Sequence, residues 1–97
     1  MKFIYSLEFV EKIKNLSEEW KNFIKSNLHD LQETLEKFPN LFPLSIFSNK
    51  FRKITLKLNG KADWYNILYT YIEKTDTILF TNFYHFKEKP ETQEKAD

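Results

Sequence analysis

His85 is the residue best suited to proton transfer in this chain, because histidine is the side chain that titrates near neutrality without a large shift. It lies in the stretch FYHFKEKP, Phe83 to Pro90, between aromatic rings and just ahead of Lys87 and Lys89. A second group of cations lies earlier. Lys50, Arg52, Lys53, Lys57 and Lys61 follow one another with no acid among them. On a strand, Lys53 and Lys57 share the face opposite Ile54 and Leu56, and that face can form a cationic floor for phosphate. Together these residues offer an acid/base group and positive charge for an anion. The plain alternative is a polar strand end and a solvated sheet face.

Other chemistries are excluded more firmly. The chain has no cysteine, so it holds neither a disulfide framework nor a thiolate zinc site. Its one glycine, Gly60, cannot build a phosphate-binding glycine loop. The other histidine, His29, lies off the apolar stripe of a helix and reads as exposed and structural. The two histidines lack metal-ligand spacing, and no carboxylate cluster joins either one. No metal and no cofactor are expected. The formal net charge of +1 gives no global pull toward nucleic acid.

A length of 97 residues argues for one domain. That domain is expected to run over residues 1–90, with 91–97 as an acidic, flexible tail. Glu8 and Glu11 interrupt the amino end too early for a signal peptide. No uncharged run approaches the ~20 apolar residues of a membrane helix. A cytoplasmic protein without a membrane partner is expected.

These residues need elements to position them. From Lys2 to Phe9 the side chains Phe3, Tyr5, Leu7 and Phe9 share one parity, a strand signal. Val10, Ile13 and Leu16, three apart, suit a short helix. Ser17 reads as an N-cap, with Glu18 and Glu19 where the helix dipole favours anions. Trp20, Ile24, Leu28, Leu31, Leu35 and Phe38 follow steps of four and three, with Phe23 flanking, and mark an amphipathic helix that Pro39 ends. The uncharged segment NLFPLSIFSN reads as a packed loop, with Phe42, Leu44 and Phe47 covering a sheet edge or meeting a partner. Three strands follow: FRKITLKL, WYNILYTYI and TILFTNFYHF. Asn59–Gly60 is a strong hairpin signal between the first two, and Glu73–Asp76 a polar turn between the last two. Trp20, Phe23, Phe38, Phe51, Trp64, Phe80 and Phe83 read as packing. The fold class is α+β, in the order β-α-α-β-β-β, with a helical hairpin packed on a small antiparallel sheet.

This order resembles the RelE/ParE superfamily of bacterial toxins, with its HigB-like branch. The segment YSLEFVEKIKNLSEEWKNFIKSNLHDLQETLEKFP is similar to that family's strand, short helix, long helix and proline. WYNILYTYIEKTDTILFTNFYHFKEKP is similar to its "Tyr-Arg-hydrophobic-hydrophobic-Tyr" strand, acidic turn and closing strand with a basic residue. The resemblance covers nearly the whole chain. It implies the toxin of a toxin–antitoxin pair: an endoribonuclease that cleaves messenger RNA on the ribosome without metal and is neutralised by a cognate antitoxin. The ParE branch instead inhibits DNA gyrase and cuts no RNA.

Metal-free RNA cleavage turns the 2′-hydroxyl on its own 3′-phosphate, so it needs a base, cations for the growing phosphate charge and an acid for the leaving oxygen. The resemblance implies His85 as base or acid and Arg52, Lys53 and Lys57 as the catalytic cations. Lys61, Asn66, Tyr84, Lys87 and Lys89 would bind RNA, with Tyr84 either stacking on a base or packing in the core. Two departures stand out. The family's arginine after the strand tyrosine is here Asn66, following Tyr65, and loss of such a donor costs ~10²–10³-fold in rate. The net charge is also lower than that of the strongly basic messenger-cleaving members. Arg52 is the first candidate to replace the missing charge. A gyrase inhibitor, or a non-enzymatic partner-binding module on the same fold, fits the departures as well.

Overall fold

The computed structural model describes residues 1–45, 49–58 and 63–88. The expected order of elements is present: β1 (Lys2–Tyr5), α1 (Leu7–Lys14), α2 (Glu18–Lys37), β2 (Arg52–Lys57), β3 (Trp64–Ile72) and β4 (Thr77–His85). The sheet order is β1-β4-β3-β2. The β2-β3-β4 meander is antiparallel, as expected, but β1 joins β4 in parallel, so the sheet is mixed.

The first helix begins earlier than its apolar spacing suggests. Ser6 caps α1, accepting a bond from the Phe9 amide at 3.1 Å, and the strand stops at Tyr5. A cap satisfies amides that a helix start leaves open, and here it outweighs the alternation that runs on to Phe9. The consequence is visible in Leu7 and Phe9. On a strand they would share a face; on the helix Leu7 is 77% exposed while Phe9 is fully buried. α2 follows its stripe closely. Ser17 caps it, and Trp20, Ile24, Leu28 and Leu35 are buried. Phe38 leaves the stripe: it is the C-cap, at φ −136°, and 58% exposed.

One sheet face carries the core. Ile54, Leu56, Ile67, Tyr69, Ile78, Phe80 and Phe83 meet Phe9, Trp20, Ile24, Leu28 and Leu35 from the helices. The opposite face carries Lys53, Thr55 and Lys57 on β2, beside Leu68, Asn66 and Trp64 on β3. The segment before β2 lies along its outer edge. The Lys53 amide donates to Pro43 O at 2.9 Å, the Ser45 amide to Phe51 O at 2.7 Å, and Leu44 bridges to Arg52. Phe42 packs edge-on against Tyr69. Phe47, the Asn59–Gly60 turn and residues 91–97 lie outside the described residues.

Between β3 and β4 the chain turns through Asp76, the sole non-glycine residue at positive φ (51°) among the described residues. Aspartate tolerates this left-handed geometry better than most residues. Its carboxylate accepts from the Tyr71 hydroxyl at 2.8 Å and lies 3.4 Å from the Met1 amino group. The tyrosine bond lowers its pKa from the ordinary 3.8; desolvation opposes this, and the amino group adds to the lowering. A pKa depressed by folding contributes stability above the unfolded value, and that stability fades as pH falls through the folded value. Asp76→Asn is therefore expected to lower the melting temperature at pH 6, with the gap to wild type closing toward pH 2. A gap constant over that range in thermal unfolding would contradict the assignment.

Candidate functional site

A β-bulge decides where His85 points. Leu68 pairs with Asn82 and Tyr69 with Phe80, so Thr81 is an extra residue in β4. One added residue moves every later side chain to the other face. Ile78 and Phe80 face the helices before the bulge; after it, Phe83 and His85 do. His85 thus lies at the end of the helix-side face, edge-on to Tyr65 at 5.2 Å between ring centres. Tyr65 in turn packs edge-on to Trp20 and Phe83.

Both ring nitrogens of His85 are engaged. The Lys87 amide donates to Nδ1 at 3.3 Å. That leaves the ring proton on Nε2, where Asp63 Oδ1 accepts it. Asp63 is the functional candidate that sequence reasoning missed. Its signal was the β3–β4 register: Tyr65 pairs with His85, which brings the residue two before Tyr65 beside the end of β4. Glu88 closes the strand, accepting from the His85 amide at 3.0 Å and donating its own amide to His85 O at 2.8 Å. The Tyr65 phenol is pushed above its usual pKa by burial, then by Glu88 and Asp63. It stays neutral at physiological pH, so Tyr65 offers no phenolate base to this cluster.

Next to His85, Phe86 stacks on Trp64 at 4.1 Å and 25°. The Lys57 Nζ lies 5.1 Å from the Trp64 ring centre, and the Lys87 Nζ 5.6 Å from that of Phe86. His85 and Phe86 are 4.5 Å apart, ring centre to ring centre. This sheet end therefore gathers one histidine, two lysines and two carboxylates around stacked aromatic rings. The arrangement can move a proton and hold an anion.

The other expected site residues divide. Lys53 shares the face of Lys57 but lies further along β2, opposite Leu68. Arg52 is not brought to His85. It pairs with Tyr69, four residues along β3 from the partner of His85, or roughly 13 Å at 3.3 Å per residue. Its Nη1 donates to Phe42 O at 2.7 Å, holding the loop that flanks β2. Asn66 is 7% exposed and its Oδ1 accepts from the Thr55 hydroxyl at 2.7 Å. Tyr84 is 4% exposed, so its ring is no open surface for a base. Lys61 and Lys89 lie outside the described residues. Among the described residues, no group of three or more His, Asp or Glu is placed to hold a metal. No described helix is long and apolar enough to cross a membrane.

A groove of about 430 Å³ runs between α1 and α2. Phe9, Ile13 and Leu28 line it, with Lys14, Lys25 and His29 among its polar residues. His29 is exposed, as expected.

No protein-family model and no curated protein sequence matches this chain. Solved structures do match. The isolated E. coli RelE toxin superposes with a TM-score of 0.65 at 12% identity, covering 98% of this chain and 94% of that one. A RelE mutant in complex with a peptide of the antitoxin RelB gives 0.65 at 14% identity, over 99% and 93% of the two chains. The intact E. coli RelBE toxin–antitoxin complex gives 0.61 at 14% identity, over 84% and 92%. Two helices on a four-stranded mixed sheet, matched to RelE over nearly their whole length, give this chain the RelE-like fold.

Proposed function

We propose that the chain is the toxin of a toxin–antitoxin pair and a metal-independent endoribonuclease that cleaves messenger RNA on the ribosome, so inhibiting translation. The observation that carries this reading is the RelE-like fold over 98% of the chain, with an Asp63–His85 pair at one sheet end beside two lysines. Among the described residues, the lone pair of His85 Nδ1 is engaged by a long amide bond of 3.3 Å. Released from that bond, it takes the 2′-hydroxyl proton, and Asp63 stabilises the imidazolium that forms, as a buried acid does for a catalytic histidine elsewhere. Lys57 and Lys87 meet the charge that grows on the phosphate, and the leaving 5′-oxygen takes its proton from water.

A cognate antitoxin is the expected partner. The α1–α2 groove, with an apolar floor and cationic side chains, suits an acidic amphipathic segment of such a protein. Co-expression with the product of the neighbouring gene should yield a stable complex.

Induced expression followed by mapping of RNA 5′ ends tests the activity. New ends inside translated messages are expected; intact messages during growth arrest would remove the nuclease reading. A second reading, inhibition of DNA gyrase without RNA cleavage, is favoured by Asn66, which carries no charge and is tied to Thr55. Gyrase supercoiling with saturating purified protein separates the two.

A further inference from the structure

We infer that Trp64 and Phe86 form a nucleobase-stacking subsite, with Lys57 and Lys87 placed for the phosphates beside the stacked nucleotide. It deepens the nuclease reading of the His85 site and rests on that reading. The two tryptophans of the chain have opposite surroundings. Trp20 is 8% exposed and belongs to the core, packed edge-on between Phe23 and Tyr65. Trp64 is half-buried, lies outside the core cluster, and shares the helix-free face with Lys57. Phe86 stacks on its ring at 4.1 Å, and the ammonium over it belongs to an exposed lysine.

A ring pair that served only to close the sheet would be covered by apolar side chains. Here the indole meets an exposed cation, which a base can displace. The lysine keeps a partner after the exchange, because the incoming nucleotide brings its own phosphate. Lys87 brings a second ammonium, 5.6 Å from the Phe86 ring centre. This is the combination that binds single strands: an aromatic platform for the base and cations for the backbone. Phe86 also touches His85, so a nucleotide on Trp64 sits two ring contacts from the proposed base. Stacking tolerates every base, so the subsite selects for an unpaired strand rather than for a sequence.

The test separates binding from cleavage. A short single-stranded oligodeoxynucleotide lacks the 2′-hydroxyl and cannot be cut by the proposed route. In a Trp20→Phe protein, where Trp64 is the remaining indole, this probe is expected to quench the fluorescence. In the wild-type background, Trp64→Leu is expected to weaken binding of a labelled probe ~5- to 150-fold, with Trp64→Phe recovering most of it. Absence of quenching, or a Trp64→Leu affinity within about twofold of wild type for a folded protein, overturns the subsite. Message cleavage by Trp64→Leu at the wild-type rate overturns it too and leaves the nuclease reading standing. Quenching by the probe alongside intact cellular messages supports the stacking surface and counts against the nuclease reading alone.

Discussion

His85→Ala is expected to relieve growth arrest and to lower message cleavage by ~10²–10⁴-fold, the range that a positioned acid/base group contributes. The variant removes the imidazole that lies between Asp63 and the Lys87 amide. It should leave the fold intact, because His85 is at the end of β4 and outside the core cluster. Its backbone bonds with Glu88 do not need the imidazole. Asp63→Asn tests the same assignment from the other side. An amide still accepts the Nε2 proton but does not neutralise an imidazolium, so a smaller loss is expected. Arg52→Ala serves as the contrast. Its guanidinium holds Phe42 O rather than the His85 cluster, so that variant should cost stability before it costs chemistry. Single-turnover cleavage on purified ribosomes, with unfolding measured in parallel, reads all three. A His85→Ala protein that cuts within a few-fold of wild type would remove His85 from the chemistry.

Much of the scaffold was legible in the sequence because its signals are local. Ser17, the steps of three and four from Trp20 to Leu35, and Pro39 each act within a few residues, and α2 follows them. The acidic turn at Glu73–Asp76 is likewise where its composition places it. What escaped was non-local. Alternation in β1 says which side chains share a face but not which strand lies alongside or in which direction, and the parallel pairing with β4 carries no sequence mark.

The site shows the same limit more sharply. The run TILFTNFYHF is apolar on both parities, so nothing in it announces an extra residue at Thr81. Without the bulge, His85 would lie on the face of Lys53 and Lys57, where a flat reading of the strands puts a working cluster. With it, His85 turns toward the helices, meets Asp63 and Tyr65, and reaches Lys57 only through Phe86 and Trp64. Trp64 lies outside the core cluster for a related reason. Aromatic residues are core by default, and only the register with Lys57 moves this one to the other face.

Phe80→Ala is expected to be the most destabilising change outside the site, at ~3–5 kcal/mol. Phe80 is fully buried, stacks on Tyr5 at 4.8 Å, and lies against Phe9 and Tyr69. These rings come from β1, α1 and β3, so the cavity left by alanine opens where three elements meet. The residue also precedes the bulge, and a loosened β4 would lose the register that aims His85. A domain of this size has about 5–15 kcal/mol in total, and each kcal/mol shifts the melting temperature by ~4–8 °C. A drop of at least ~12 °C in thermal unfolding is therefore expected, with Phe80→Leu losing much less because it preserves most of the volume. A loss below about 1 kcal/mol would mean that the aromatic cluster around Phe80 is not what holds β1 and α1 to the sheet. The comparison also guards the catalytic test. Loss of toxicity in Phe80→Ala should track loss of folded protein, whereas loss in His85→Ala should occur with the melting temperature nearly unchanged.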